Sequence, residues 1–448
     1  MPSQFVAHNG LFRCRSTICL FLLALLVLSP ASAAASASPD AGDGSQAAEP
    51  TNPLDAYWAW KARLKDKGID FTINYTSEEL AAVQGGDSDA LVHAGQLSFT
   101  GQADMERLVG WEGAAITLSV SKRDGQGINA RSGIGALLGP QEIFGRGNIT
   151  RISQFWLDQK LLDDRVSLRV GRVNAGSDFE AFDCHFINLS YCGNQVGNIV
   201  SDYWYNYPIS QWGAIAKIQT GSRTSIKVGA YQVNPRNLKR GLFEPFSPSG
   251  GTGMLLPVEF GWTPRLGAGT DISVKFGGWY SSADRDDVYL DGNHAPAAQS
   301  DLPFLQRKGS YGGYSSTVIR LPSGKGRSLM AFFNATLADR RTSTVDQSLA
   351  TGLVYTGLWR ARPQDQIGLA VSYNHLNSRV ADYRTERALA GRETLPPGTG
   401  ENAVELFYGF QLARFLQVRP DLQWIRHPGG IASNPDAVIL GARTSISF

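Results

Sequence analysis

From Phe71 to Phe448 apolar residues recur at every second position in one short run after another, and no run reaches the roughly 18 consecutive apolar residues of a membrane-spanning helix. Ile367, Leu369, Val371 and Tyr373 alternate with Gln366, Gly368, Ala370, Ser372 and Asn374. Leu329, Ala331, Phe333, Ala335 and Leu337 share one face, and Ile226, Val228 and Ala230 alternate with Ser225, Lys227, Gly229 and Tyr231. Side chains of a strand point alternately to opposite faces, so each run has one apolar and one wetter face. A soluble sandwich and a membrane barrel both satisfy that pattern.

The connections separate the two. Sixteen strands are expected, starting near residues 71, 95, 113, 151, 165, 212, 225, 254, 271, 311, 328, 350, 366, 403, 416 and 437. Short links (161–164, 321–327, 359–365, 413–415) alternate with long ones (123–150, 172–211, 281–310, 375–402). Short periplasmic turns, long external loops and an even strand count are the pattern of an outer-membrane barrel. Seven of the ten tryptophans (Trp111, Trp204, Trp212, Trp262, Trp279, Trp359, Trp424) fall at or near strand ends, where aromatic girdles lie. The last run, Val438, Leu440, Ala442, Thr444, Ile446 and Phe448, ends on an aromatic, as do the strands that the barrel-assembly machinery recognises. The expected fold is therefore an all-β transmembrane antiparallel barrel of about 16 strands over residues 71–448, in contact with outer-membrane lipid.

Upstream, Arg13 and Arg15, the apolar run 18–28 and Ala31-Ser32-Ala33 resemble a secretory signal peptide of residues 1–33. Residues 34–51, rich in Ala, Ser, Asp and Gly, are expected to be a disordered linker. Asn52-Pro53 predicts a helix start, and a short periplasmic helix over 53–67, stopped by Gly68, fills the segment 52–70. Export leaves Cys184 and Cys192, eight apart, as an expected disulfide closing a small external loop.

Other function classes lack support. The formal charge is +2, and without Arg13 and Arg15 it falls to zero, so no basic excess points to nucleic acid. The glycines at 133, 135 and 139 have neither the spacing nor the strand–turn–helix setting of a dinucleotide fingerprint. The six histidines contain no metal-spaced pair, and His375 beside Asn374 has no marked serine partner, so no enzyme, cofactor or metal is expected.

In order along the chain stand Gly68-Ile69, the segment 104–114 (DMERLVGWEGA), Val170-Gly171-Arg172 with Phe179, Cys184 to Cys192-Gly193, Tyr207-Pro208, Gln211-Trp212-Gly213, the segment 417–425 (QVRPDLQWI) and Pro428-Gly429-Gly430. This ordered set resembles the OprB family of carbohydrate-selective porins over nearly all of residues 52–448. The resemblance implies a channel in the outer membrane of a Gram-negative bacterium, through which sugars or polyols diffuse passively. It leaves open a general non-selective diffusion pore, and an outer-membrane barrel hydrolase or adhesin stands as a further alternative.

Strand parity nominates residues for such a lumen. A lipid-facing Trp156 would put Gln154 and Asp158 in lipid as well, at several kcal/mol for a charge near mid-membrane, so Trp156 and Asp158 are expected inside, with Ser153, Phe155 and Leu157 outside. Val166, Leu168 and Val170 outside place Arg165 and Arg169 inside. A turn at 161–164 would set Trp156 opposite Arg169, an aromatic face and a cation that could hold a sugar's apolar face and its hydroxyls. The same parity puts Glu405, Arg419, Asp421 and Gln423 inside, together with Glu78, Lys217, Lys227 and Lys275. The loops 123–150 and 172–211 are expected to fold inward and narrow the pore.

Overall fold

The structure, a computed structural model, describes residues 52–242, 246–267, 269–300, 302–324, 326–391 and 398–448. The expected signal peptide and linker lie outside these residues. Sixteen antiparallel strands close on one another: β1 (Ile69–Gln84), β2 (Ala90–Asp104), β3 (Ala114–Gly125), β4 (Ile149–Leu161), β5 (Val166–Val173), β6 (Gln211–Gln219), β7 (Thr224–Val233), β8 (Gly253–Trp262), β9 (Asp271–Ser281), β12 (Ser310–Pro322), β13 (Ser328–Ala338), β14 (Val345–Thr356), β15 (Gln366–Leu376), β16 (Gly400–Ala413), β17 (Leu416–Arg426) and β18 (Ala437–Ser447). A separate two-stranded hairpin, β10 (Arg285–Asp291) with β11 (Phe304–Arg307), lies in the loop between β9 and β12. β1 pairs with both β2 and β18, from Asn74 opposite Ser447 to Gln84 opposite Val438, so the sheet has no free edge. The strand starts agree with expectation to within a few residues, the largest differences being at β2 and β14.

The alternation of connections is looser than the sequence suggests. Residues 85–89 and 339–344, at the end that carries the long loops, are short, while 105–113, 263–270 and 357–365 at the other end are longer than tight turns. The four long loops nevertheless share one end. Leu97, Phe99, Phe155, Phe276, Phe333, Leu353, Leu369, Leu406 and Leu440 are exposed on the outer face, as a lipid-facing band requires. Trp111, Trp262, Trp359 and Trp424 are exposed near strand ends. Trp204 and Trp279 are not girdle residues: both are buried inside, 5.6 Å apart between ring centres, and the Trp279 indole N–H donates to the Tyr203 hydroxyl at 3.0 Å.

Helix α1 (Pro53–Asp66) is capped by Asn52, whose side-chain oxygen accepts from the Asp55 N–H at 2.9 Å, and Gly68 at φ +91° ends it in the left-handed region. Tyr57 and Trp58 of α1 pack on the Phe448 ring at 6.0 and 6.3 Å, and Phe415 stacks on it at 5.2 Å. The Phe448 backbone pairs with Ile73 in both directions, at 2.9 and 3.0 Å.

The interior is far from a uniform water-filled lumen. Residues 174–210, joining β5 to β6, fold into the barrel, and Phe186, Ile187 and Tyr191 pack against inward residues of the wall, among them Met330, Phe332, Phe407 and Ile425. Ile128 and Ile134, from residues 126–148 between β3 and β4, join the same cluster. A second cluster packs Phe179, Val196, Val200 and Trp204 on Ile215, Tyr231, Leu255 and Trp279. Both loops that were expected to fold inward do so.

Candidate functional site

Inward-facing carboxylates of the wall hold the two loops by their backbones. Glu405 accepts the N–H of Ile187 at 2.6 Å and of Asn188 at 2.8 Å, one on each oxygen. Glu401 accepts from Leu137 at 2.8 Å and from Gly429 at 2.9 Å, and Glu259 accepts from Glu180 at 2.8 Å. Gln423 receives the Asn188 amide at 3.1 Å and donates to the Pro140 carbonyl at 3.0 Å, so one side chain ties both loops. Buried backbone donors need partners, and charged acceptors make the strongest ones.

The infolded loops leave a cavity of about 560 Å³ against the wall formed by β2, β3 and β18. Gln96, Arg123 and Arg443 face it from the strands, Glu142 and Arg146 from the first loop, and Asn194, Asn198, Asn206 and Tyr207 from the second. Arg443 is neutralised by Glu142 at 2.8 Å and Glu78 at 3.6 Å. The Arg123 Nε donates to Gln96 at 2.6 Å, its guanidinium lies 6.0 Å from the Tyr207 ring centre, and an Arg146 Nη donates to the Ser201 carbonyl at 2.6 Å.

None of the eight residues nominated from strand parity as constriction residues lines this cavity. Glu405, Arg419, Asp421 and Gln423 do face inward but are buried beneath the loops. Trp156, Asp158 and Arg169 also face inward. The turn, however, spans residues 162–165, so Asp158 is opposite Arg169 and Trp156 is opposite Gly171. Gly171 is needed there: at φ +146° a side chain would overlap the Phe155 carbonyl and come within 2.7 Å of the Trp156 Cα. Arg169 still reaches the Trp156 face, at 4.5 Å, along the diagonal. Its other contacts are carboxylates, Asp158 at 2.7 Å and Asp178 of the infolded loop at 2.7 Å, and the Trp156 indole donates to Asp158 at 2.7 Å.

Arg165 lies exposed in the turn, one residue before β5, and not on the lumen face. Ser153 faces inward, contrary to strand parity, because a bulge opposite Ser119 and Val120 resets the alternation; its hydroxyl meets that of Ser121 at 2.6 Å. Cys184 and Cys192 are bonded, with Cα atoms 4.5 Å apart, but the loop they close lines the cavity and is not external. Glu142 is their only carboxylate neighbour in a metal-like grouping among the described residues, and the sulfurs are committed to each other. Arg123 and Arg443 carried a usable signal: each sits on the polar side of its strand, with Ser119 and Ser121 or with Ser445. Arg146 carried none, because loop residues have no parity.

A closed sixteen-stranded barrel with an apolar outer band and a lumen narrowed by infolded loops defines an outer-membrane porin, a channel in the outer membrane of a Gram-negative bacterium. The family model described as carbohydrate-selective porin, OprB family, matches residues 88–448, and the chain belongs to that family. Porin B of Pseudomonas aeruginosa is 34% identical over 456 residues, covering 97% of this chain and 98% of that protein. The putative porin QuiX of Acinetobacter baylyi is 30% identical, covering 87% and 91%. The high-pH structure of Pseudomonas putida OprB is 33% identical with a TM-score of 0.84, covering 88% of this chain and 97% of that one. Salmonella typhi OmpF, 10% identical with a TM-score of 0.51, covers 86% of this chain and 99% of that one and shares the fold alone.

Proposed function

We propose that this porin passes single sugars or polyols passively to the periplasm, with the cavity beside β2, β3 and β18 as its selective constriction. One observation carries this reading: two long loops, pinned by Glu401, Glu405 and Gln423, fold into the barrel and leave a cavity of about 560 Å³ between them and the wall. That volume is within the range of small-molecule sites, about 300–1,000 Å³. Amides of Gln96, Asn194, Asn198 and Asn206 can exchange hydrogen bonds with hydroxyls, and the Tyr207 ring offers an apolar face. Weak contacts suit a channel, since the solute has to leave as well as enter. Trp156, Asp158 and Arg169 brace the loop start at Asp178 and act on the solute only through it. Residues 1–33 direct export, and Phe448 presents the last strand to the barrel-assembly machinery before the barrel meets lipid.

Planar-bilayer conductance with added sugar, alongside swelling of proteoliposomes in sugars of increasing size, tests the reading. Glucose should reduce ion current and enter much faster than a trisaccharide. Equal entry of both, or a barrel that does not conduct, would overturn it.

A further inference from the structure

On the outer face, at the end that carries the long loops, a cleft of about 510 Å³ opens between β3, β4 and the loop joining β7 to β8. Lys122, Thr150, Arg240 and Leu242 line it. Lys122 and Thr150 are opposite each other and both exposed. Further in along the same face come Val120 opposite Ile152 and Leu118 opposite Phe155, so the two strands turn from polar to apolar towards mid-membrane. The loop repeats that order. Lys239 and Arg240 are exposed, Leu242 follows, and Phe246 packs on Phe155 at 6.2 Å and on Trp212 at 6.0 Å between ring centres. Two buried arginines hold the loop from behind: Arg151 donates to the carbonyls of Asn237 at 2.9 Å and Lys239 at 2.6 Å, and Arg172 to the Asn237 side chain at 3.0 Å. Asp124 is the acidic residue in the lining, and among the described residues no carboxylate forms an ion pair with Lys122, Lys239 or Arg240. Arg123 borders the cleft but turns its guanidinium to Gln96 and takes no part.

We infer that this cleft binds the phosphorylated glycolipid of the outer leaflet, with a sugar phosphate held between Lys122 and Arg240 and an acyl chain lying over Leu242, Val120 and Phe155. Three observations converge on that occupant. The cleft is continuous with the lipid-facing band through Phe155. Its cations stand at the outer rim and its apolar residues further in, the order of headgroup and chain in a lipid of that leaflet. A charge on the lipid face is costly at mid-membrane and tolerated near the interface, where a phosphate can neutralise it. Guanidinium and ammonium donors both suit phosphate oxygens. Arg151 and Arg172 add positive potential behind the site without competing for the ligand, because the loop occupies them.

Native mass spectrometry of the full barrel, released from phosphatidylcholine nanodiscs doped with bisphosphorylated lipid A or with lipid A stripped of its phosphates, tests this. The native protein should retain the bisphosphorylated form about thirtyfold more tightly than the stripped form, the contribution of two cations near an anionic membrane surface. A Lys122→Gln/Arg240→Gln variant should lose that preference, and Lys122→Arg/Arg240→Lys should keep it. Phe246→Ser should weaken both forms alike. Both cations lie outside the lumen, so native single-channel conductance checks that each variant is folded. Should the double variant fail to insert, Arg240→Gln alone, in a loop outside the barrel ladders, should lower the preference about fivefold. Equal retention of the two forms by the native barrel, an unchanged preference in the folded Gln variants, or indifference to Phe246→Ser overturns the inference. Displacement of lipid A by millimolar inorganic phosphate alone also overturns it, because the site would then hold an ion and not a lipid.

Discussion

Replacing Glu405 with alanine removes the acceptor of two consecutive loop N–H groups, those of Ile187 and Asn188, at a position with no solvent exposure. Each buried donor left without a partner costs about 1–3 kcal/mol, so the pair amounts to roughly 4 kcal/mol against the docked loop. Every 1.4 kcal/mol is a factor of ten, so the ratio of released to docked loop should rise by about three orders of magnitude. The barrel itself should survive, because its ladders do not run through this carboxylate. Two assays read the effect. Single-channel recordings should show larger and noisier conductance with weaker sugar block. Hydrogen exchange should show lost protection around residues 186–191 and kept protection in β16 and β17. Native conductance, sugar block and protection in a folded Glu405→Ala barrel would refute the idea that wall carboxylates set the bore.

Arg169→Ala leaves Asp158 and Asp178 facing each other without their shared cation, so the loop start should loosen, read as faster proteolysis near residue 178 in a barrel that still resists heat in detergent. Cys184 and Cys192 should resist thiol labelling in protein purified without reductant and label fully after reduction and unfolding. Burial alone would raise the Asp287 carboxyl, but the N–H groups of Leu290 and Tyr289 and the guanidiniums of Arg307 and Arg379 outweigh it and hold it below the usual range. A lowered folded value means that its stabilisation is complete above the unfolded pKa of about 3.9 and fades as pH falls through the lower one. The β10–β11 hairpin should therefore stay protected from exchange at pH 5 and open only in stronger acid, whereas Asp287→Asn should loosen it at neutral pH.

The barrel was legible because lipid imposes a strict condition on every second residue, and Leu369, Phe333 and Val418 meet it without reference to anything distant in sequence. The inner face obeys no such single rule. Phe332 beside Phe333, Phe407 beside Leu406 and Ile425 beside Trp424 make both faces apolar, the mark of a strand buried on two sides, and here it signals a docked loop. Parity alone counts Glu405 and Gln423 as wet pore residues because it cannot know that residues 174–210 cover them. The Trp156 register was missed by the placement of one turn. A shift of a single residue at Leu162 moves the cross-strand partner of Trp156 from Arg169 to Gly171. Ser153 was misassigned because a bulge leaves no trace in period-two counting.

The cavity lining draws on both ends of the chain. Arg443 belongs to β18, while Gln96 and Arg123 belong to β2 and β3, and these strands become neighbours only through the pairing of β1 with β18. Until that seam zips from Asn74–Ser447 to Gln84–Val438, Arg443 is a whole open sheet away from Arg123. An unclosed sheet keeps its loops and its lipid face, but it completes neither this cavity nor the apolar cluster that joins Leu80 and Val92 to Ile425 and Ile439. Under the proposed reading solute choice is a property of the finished ring, acquired at the closing step, and an assembly intermediate caught before closure should leak without discrimination or not conduct at all.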